Sequence, residues 1–203
     1  MGLMLVLSCY GSSIFPISIQ AVLLTLFLCG ISGALHLDGL SDTFDGFLSS
    51  RPKDRILEIM KDSHIGVMGA MAMIFVILLK ITSLYEILSR GSLPVLALVL
   101  VPFLGRCALI HSMVQLPYAR AEGLGRLFWY ENKSVHYGLL LVEFLLSISF
   151  LGFWGLGFMA FIYAVQCLFI RWCSSKIDGG TGDTCGACCE LTETLALVLL
   201  TLF

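Results

Sequence analysis

Long apolar runs alternate with short polar segments along this chain, and the alternation sets the first expectation. Apolar residues dominate 14–35, 65–84, 93–115, 137–152 and 154–170, and a shorter run, 191–203, closes the sequence. A helix crossing the ~30 Å hydrocarbon layer needs about 20 such residues, with a range of about 17 to 25. The pattern predicts an all-α, polytopic membrane bundle of about six transmembrane helices, read as a single membrane domain over 1–203. Pro16 and Pro94 fall near helix starts, where proline is tolerated, whereas Pro102 sits inside a run and can kink it. Met1–Leu7 is apolar but has no basic flank, which makes it a poor signal peptide.

Three polar segments separate the runs. Residues 36–64 carry Arg51, Lys53, Arg55 and Lys61; 116–136 carry Arg120, Arg126 and Lys133; 171–190 carry Arg171 and Lys176. The turns near 85–92 and 152–154 hold only Arg90. By the positive-inside rule the three polar segments face the cytoplasm of a multi-pass protein in the plasma (inner) membrane. Each intervening pair of runs forms a hairpin that leaves the bilayer on the side it entered. All three segments therefore emerge on one face, where they can build a single site.

Composition agrees. The chain has 203 residues, 58% hydrophobic and 13% charged, with a mean hydropathy of +0.95. Soluble domains carry roughly 25% charged residues, so a soluble fold would lack about half its solvating charge. A net charge of −2 gives no electrostatic case for nucleic acid. The eight cysteines fall mostly in apolar contexts, where they read as small buried hydrophobes. Cys185, Cys188 and Cys189 have no second pair nearby to complete a four-ligand zinc site.

The acids are gathered, not scattered. Asp38, Asp42 and Asp45 are spaced i, i+4, i+7, one stripe of a helix, and Asp54, Glu58 and Asp62 repeat the device at i, i+4, i+8. Like charges so stacked repel, and hard oxygen ligands of this kind suit Mg²⁺, Mn²⁺ or Ca²⁺. Gly39 and Gly46 each follow an Asp and allow close backbone approach. The plain alternative is a solvated acidic face at the membrane surface. His36 and His64 flank the stretch, and either could act as a general base.

In "PYARAEGLGRLF" (117–128), Arg120 and Arg126 are candidate phosphate partners, with headgroup anchoring as the simpler role; Gly123 and Gly125 imply a turn. Arg106 and Glu143 lie within apolar runs, where an ionisable group usually faces the bundle interior; Arg106 is expected to pair with one of the acids. In "KIDGGTGDTCGACCELTE" (176–193), Gly179, Gly180, Thr181 and Asp183 suggest backbone N–H groups turned toward phosphate. No Lys-Ser/Thr follows, so this is not a Walker A loop. The spacings Gly66/Gly69 and Gly152/Gly155/Gly157 suit close helix packing.

Four stretches, "HLDGLSDTFDGF", "RILEIMKDSHIGVMGAMAM", "PYARAEGLG" and "GGTGDTCGACCELTE", in that order, resemble the cobalamin synthase family, the adenosylcobinamide-GDP ribazoletransferases. The resemblance covers residues 30–203. It implies an integral membrane enzyme that needs Mg²⁺ and joins adenosylcobinamide-GDP to α-ribazole or its 5′-phosphate, releasing GMP. Carried over motif by motif, it implies that Asp38, Asp42, Asp45 and Asp62 hold Mg²⁺ on the diphosphate. Asp42, Asp45 and His36 would take catalytic parts, while Arg120, Gly179, Gly180, Thr181 and Asp183 would bind nucleotide. The ribazole hydroxyl would attack the phosphorus nearer cobinamide. The expected partners are these two substrates and the lipid bilayer, with a homo-oligomer allowed and no nucleic acid. The chain departs from the family in a shorter first segment and in Cys185, where a large aliphatic residue is commoner.

Two rival readings are weaker. A CDP-alcohol phosphotransferase also uses clustered aspartates, but Ser49-Ser50 stand where its Ala-Arg pair should be. A cation transporter would need acids inside the apolar runs, and nearly all of them lie in the polar segments.

Overall fold

The computed structural model describes residues 15–91, 97–122, 124–127, 129 and 132–203. Nine helices form the chain among these: α1 (Ile17–Gly30), α2 (Leu35–Phe47), α3 (Lys53–Ile59), α4 (Val67–Arg90), α5 (Ala97–Gln115), α6 (Leu124–Leu127), α7 (Lys133–Leu151), α8 (Trp154–Ile177) and α9 (Gly182–Leu200). No strand is present among them; the one β feature is an isolated parallel bridge, Tyr118 to Gly180. The fold is the expected polytopic helical membrane bundle.

Four helices, α4, α5, α7 and α8, are long and apolar enough to cross a membrane. They correspond to the runs from 65 to 170, and α4 and α8 overshoot those runs by a turn or more because a helix need not end where the hydrocarbon does. Pro102 is accommodated within α5. The first and last runs behave differently from expectation. Run 14–35 ends in a break, where Gly33 and Ala34 both adopt left-handed backbone with φ of 62°. The chain turns there by 79° from α1 into α2; counted as one bent span, the pair makes a fifth crossing. At 13 residues, α2 is about 20 Å long, too short to span by itself. We read it as lying outside the spanning segments, which puts its aspartates at the membrane face.

Run 191–203 is the second half of α9, whose first half carries Asp183 and Glu190. α9 is the central helix. It packs most extensively on α2 and α5, and also on α4 and α8, so its buried positions run almost around its circumference. One apolar cluster, including Leu24, Leu84, Leu104, Met159 and Leu197, fills the bundle around its C-terminal end. A second, including Leu40, Phe47, Ile56, Ile170 and Ala187, lies under the polar segments. Trp172 binds that cluster edge-on to Phe44 and Phe47, with ring centroids 5.9 and 5.0 Å apart.

Two glycines let α2 and α9 touch backbone to backbone. A Cβ on Gly39 would lie 2.7 Å from the Asp183 carbonyl oxygen, and one on Gly186 would lie 3.0 Å from the Cα of His36. Gly39→Ala should therefore force the helices apart and cost about 1–3 kcal/mol, as overpacking does. Gly138, in α7, has open space around it, so Gly138→Ala should be neutral or stabilise by up to about 1 kcal/mol. Thermal unfolding of the two variants in one detergent measures the contrast.

Candidate functional site

The polar segments meet at Arg120. Its guanidinium donates to Asp183 Oδ2 at 2.7 Å and to the Met60 carbonyl at 3.3 Å, so one side chain touches all three segments. The backbone prepares this meeting. Gly180 N–H donates to Pro117 O at 2.9 Å, and Ala119 N–H to Gly180 O at 2.8 Å. Gly179 presses on the Pro117 carbonyl where a Cβ would collide. The glycines of "GGTGD" thus dock one loop on another, and the Gly180 N–H is spent there. Thr181 then caps α9: its hydroxyl accepts from Thr184 N–H, while its own N–H donates to the Thr184 hydroxyl. That cap fixes Asp183 in the first turn, where its charge also favours the helix N-terminus. A second tie between segments, Lys53 to Asp178 at 3.0 Å, closes the exposed side.

The three aspartates of α2 have different surroundings. Asp38 is exposed. Asp42 is half-buried; burial first, then the nearby charges of Asp38 and Asp183, push its carboxyl up to about 7, with Arg120 opposing. Asp45 turns to α4: its two oxygens accept Gly66 N–H at 2.7 Å and Gly69 N–H at 2.9 Å. It caps that helix from outside, and both glycines are needed because a Cβ at either would strike its carboxylate. The Gly66/Gly69 spacing is thus a packing device that also seats an acid. His36 faces α9 at Gly186; its Nδ1 is buried, and burial, then Arg106, hold its imidazole below the usual range.

Asp62 stands apart from this group. α3 ends at Ile59, so the helical stripe expected through Asp54, Glu58 and Asp62 stops at Glu58, which pairs with Arg55. Asp62 instead binds His64, accepting from its backbone N–H at 3.1 Å and meeting its ring Nδ1 at 2.6 Å. Both side chains are largely exposed. The partner raises the His64 imidazole and lowers the Asp62 carboxyl. Gly123 lies outside the described residues, and Gly125 sits in α6 against the Tyr118 ring.

Among the described residues no three His, Cys, Asp or Glu side chains form a preassembled metal cage. A hard cation bound mainly by substrate phosphates needs only one or two carboxylates. Asp38 and Asp42 supply such a pair one helical turn apart; burial, then the charges of Asp38 and Asp183, disfavours the bare Asp42 carboxylate, which a bound cation would stabilise. The donor set therefore fits Mg²⁺. Cys185, Cys188 and Cys189 are buried free thiols.

Below the site lies an ionic group that the sequence only half announced. Lys80 of α4, wholly buried, donates to Glu190 at 2.6 Å and to Glu193 at 2.7 Å. Arg106 of α5 also pairs with Glu193, which answers which acid it meets. Two cations and two anions balance inside the bundle. The apolar run 65–84 places Lys80 near a span end, whereas α4 continues to Arg90 and sets it in the interior. A further buried cluster also went unread: His111 meets Gln166 at 3.2 Å and Glu143 at 3.4 Å, beside the His136 ring at 4.7 Å. Gln166 in turn donates to Thr192 at 3.2 Å. Only Glu143, an acid inside an apolar run, signalled it.

A helical membrane bundle that gathers an arginine, a carboxylate cluster and a glycine-built loop on one face carries groups that a membrane transferase acting on phosphorylated substrates would use. The chain belongs to the cobalamin-5-phosphate synthase family, whose model matches residues 1–201. It is 42% identical over 186 residues to an adenosylcobinamide-GDP ribazoletransferase of Roseiflexus sp. (strain RS-1), covering 91% of this chain and 68% of that one. An adenosylcobinamide-GDP ribazoletransferase of Alkaliphilus metalliredigens is 39% identical over 206 residues, 99% of this chain and 80% of that protein. The one from Desulfitobacterium hafniense is 42% identical over 189 residues, 90% and 73% respectively. No solved structure matches the chain.

Removing Lys80 tests the ionic group. Lys80→Met strands two buried carboxylates with Arg106 alone and should cost about 3–5 kcal/mol. The triple variant Lys80→Met/Glu190→Gln/Glu193→Gln removes most of the uncompensated charge and should recover much of that loss in thermal or denaturant unfolding.

Proposed function

We propose that this chain is an adenosylcobinamide-GDP ribazoletransferase that joins its corrinoid substrate to α-ribazole or α-ribazole 5′-phosphate with release of GMP. The observation that carries the reading is the junction at Arg120, where the three motif-bearing segments converge beside Asp42 and Asp183. Family membership supplies the reaction class, and the junction supplies the groups that such a reaction needs. The protein lies in the plasma (inner) membrane, with the three polar segments on the cytoplasmic side, as the distribution of Lys and Arg supports.

The residues divide the work by their surroundings. Arg120, pre-aimed by Asp183, offers its planar donors to a phosphate. Asp38 and Asp42 would hold Mg²⁺, which when bound would neutralise charge on the diphosphate and its leaving group. Asp45, with both oxygens engaged by α4, fixes the register of α2 and so positions the other two acids. Asp42, whose carboxyl is pushed up to about 7, gives up its proton near neutral pH and is then free to take the cation. His36, kept neutral, can accept a proton from the buried side. The hydroxyl of the ribazole attacks the phosphorus nearer cobinamide, and GMP departs with the outer phosphate.

Turnover in nanodiscs tests the reading, with product corrinoid and GMP separated by chromatography. Asp42→Asn should lower kcat about a hundredfold or more, at least the loss seen when a partner outside a metal's own ligands is removed, and EDTA should abolish turnover. A CDP-alcohol donor should give no product.

Metal binding carries a second prediction. The folded Asp42 carboxyl titrates about 7, above its ordinary value, so it is protonated below that pH and competes with Mg²⁺ there. Affinity should therefore rise as pH increases through 7 and level off above it. Mg²⁺ added just below pH 7 should release protons to a weakly buffered indicator, and Asp42→Asn should not.

A further inference from the structure

Two open pockets share Arg120 as a common wall. One, of about 340 Å³, is lined by Pro117, Tyr118, Arg120, Arg126 and Trp129. The other, of about 510 Å³, lies across Arg120 toward Lys53 and Lys61 of the first polar segment. The first combines two arginines with two aromatic rings, and those rings are held. The Trp129 indole N–H donates to Leu116 O at 2.9 Å, and its outer edge rests over Gly180, where a Cβ would come within 3.0 Å. Tyr118 is fixed by its backbone bridge to Gly180. The two rings stand 5.0 Å apart, inclined at 60°. Arg126 is steadied by donating to Ala121 O at 2.6 Å.

We propose that this pocket binds an aromatic base joined through its sugar to a phosphate, with the base on Trp129 and Tyr118 and the phosphate between Arg126 and Arg120. The proposal rests on the transferase reading and adds the orientation. Arg120 borders the carboxylate cluster through Asp183, so the sugar-phosphate end of the ligand lies toward the reacting centre and the base points away from it. Fixed rings suit a base, because stacking on a preset platform loses little freedom and every base has a π-face. Two arginines suit a phosphate, whose oxygens accept paired donors. Both substrates of the proposed reaction contain this unit: one as the guanosine diphosphate moiety, the other as the ribazole phosphate. The pocket across Arg120 leaves room for the second.

Calorimetry on the full chain in nanodiscs, with GDP and α-ribazole 5′-phosphate titrated separately, tests the assignment and identifies the source. Trp129→Leu and Arg126→Ala should each weaken at least one of the two ligands about tenfold or more, and the ligand affected is the occupant. Trp129→Phe, which keeps an aromatic face, should retain affinity within about threefold. The unphosphorylated nucleoside of that ligand should be insensitive to Arg126→Ala. Melting curves confirm that each variant is folded. If the wild type turns over substrate but neither variant changes either affinity by more than about twofold, the pocket is not the base site while the transferase reading stands. If the folded wild type binds neither ligand and shows no turnover, both fail.

Discussion

Where α2 crosses α9, Gly39 lies against the Asp183 carbonyl and Gly186 against the backbone of His36, so no side chain separates the two helices. α2 carries the aspartates, and α9 begins with the Thr181 cap and Asp183. A spacing set by ordinary side chains would hold these helices about 8–10 Å apart and draw Asp183 away from Asp42. The close crossing does the opposite: it half-buries Asp42 and brings like charges near it, and burial first, then those charges, raise its carboxyl.

That crossing is held from beneath. α9 runs down the middle of the bundle and bears two glutamates at depths where an unpaired charge would be prohibitive. Lys80 and Arg106 reach them from α4 and α5, so the charges that specify the register of α9 are satisfied inside the protein. The same α4 has its N-terminus capped by Asp45 of α2. Three helices are thus tied in a cycle, α2 to α4 through a carboxylate, α4 to α9 through a lysine, and α9 back to α2 through glycines. Two of the ties use charged side chains that an apolar bundle would otherwise avoid, and the third uses the small residues that let helices approach closely.

The sequence displayed the parts of this arrangement whose signal is local or periodic. Apolar runs marked α4, α5, α7 and α8 because lipid imposes a length, and Lys and Arg counts put the motif-bearing segments on one side. The i, i+4, i+7 aspartates do share α2. Other features depended on contacts between distant segments and left no local trace. The break at Gly33–Ala34 turns an apparent span by 79°, yet apolar character continues across it. Asp45 reads like its neighbours until α4 supplies two N–H groups, and Asp62 reads as part of a stripe until α3 stops short at Ile59. Glycines in "GGTGD" suggested an anion nest, while their observed work includes pinning that loop to Pro117. Lys80 stands near one end of its apolar run, and hydropathy does not show that two distant glutamates pair with it in the interior.

The central claim is that segments far apart in sequence are pressed into one site by the glycine crossing of α2 and α9. Lys53, in the helix that follows α2, and Asp178, four residues before α9, report on the approach of the segments attached to that crossing, because their side chains meet at 3.0 Å on the exposed edge of the site. Carbodiimide treatment of the native chain in membranes, followed by peptide mass spectrometry of the monomer, should yield an amide between Lys53 and Asp178. The same treatment of folded Gly39→Leu protein should not. No Lys53–Asp178 link in the native chain, or its survival in Gly39→Leu, would contradict the account.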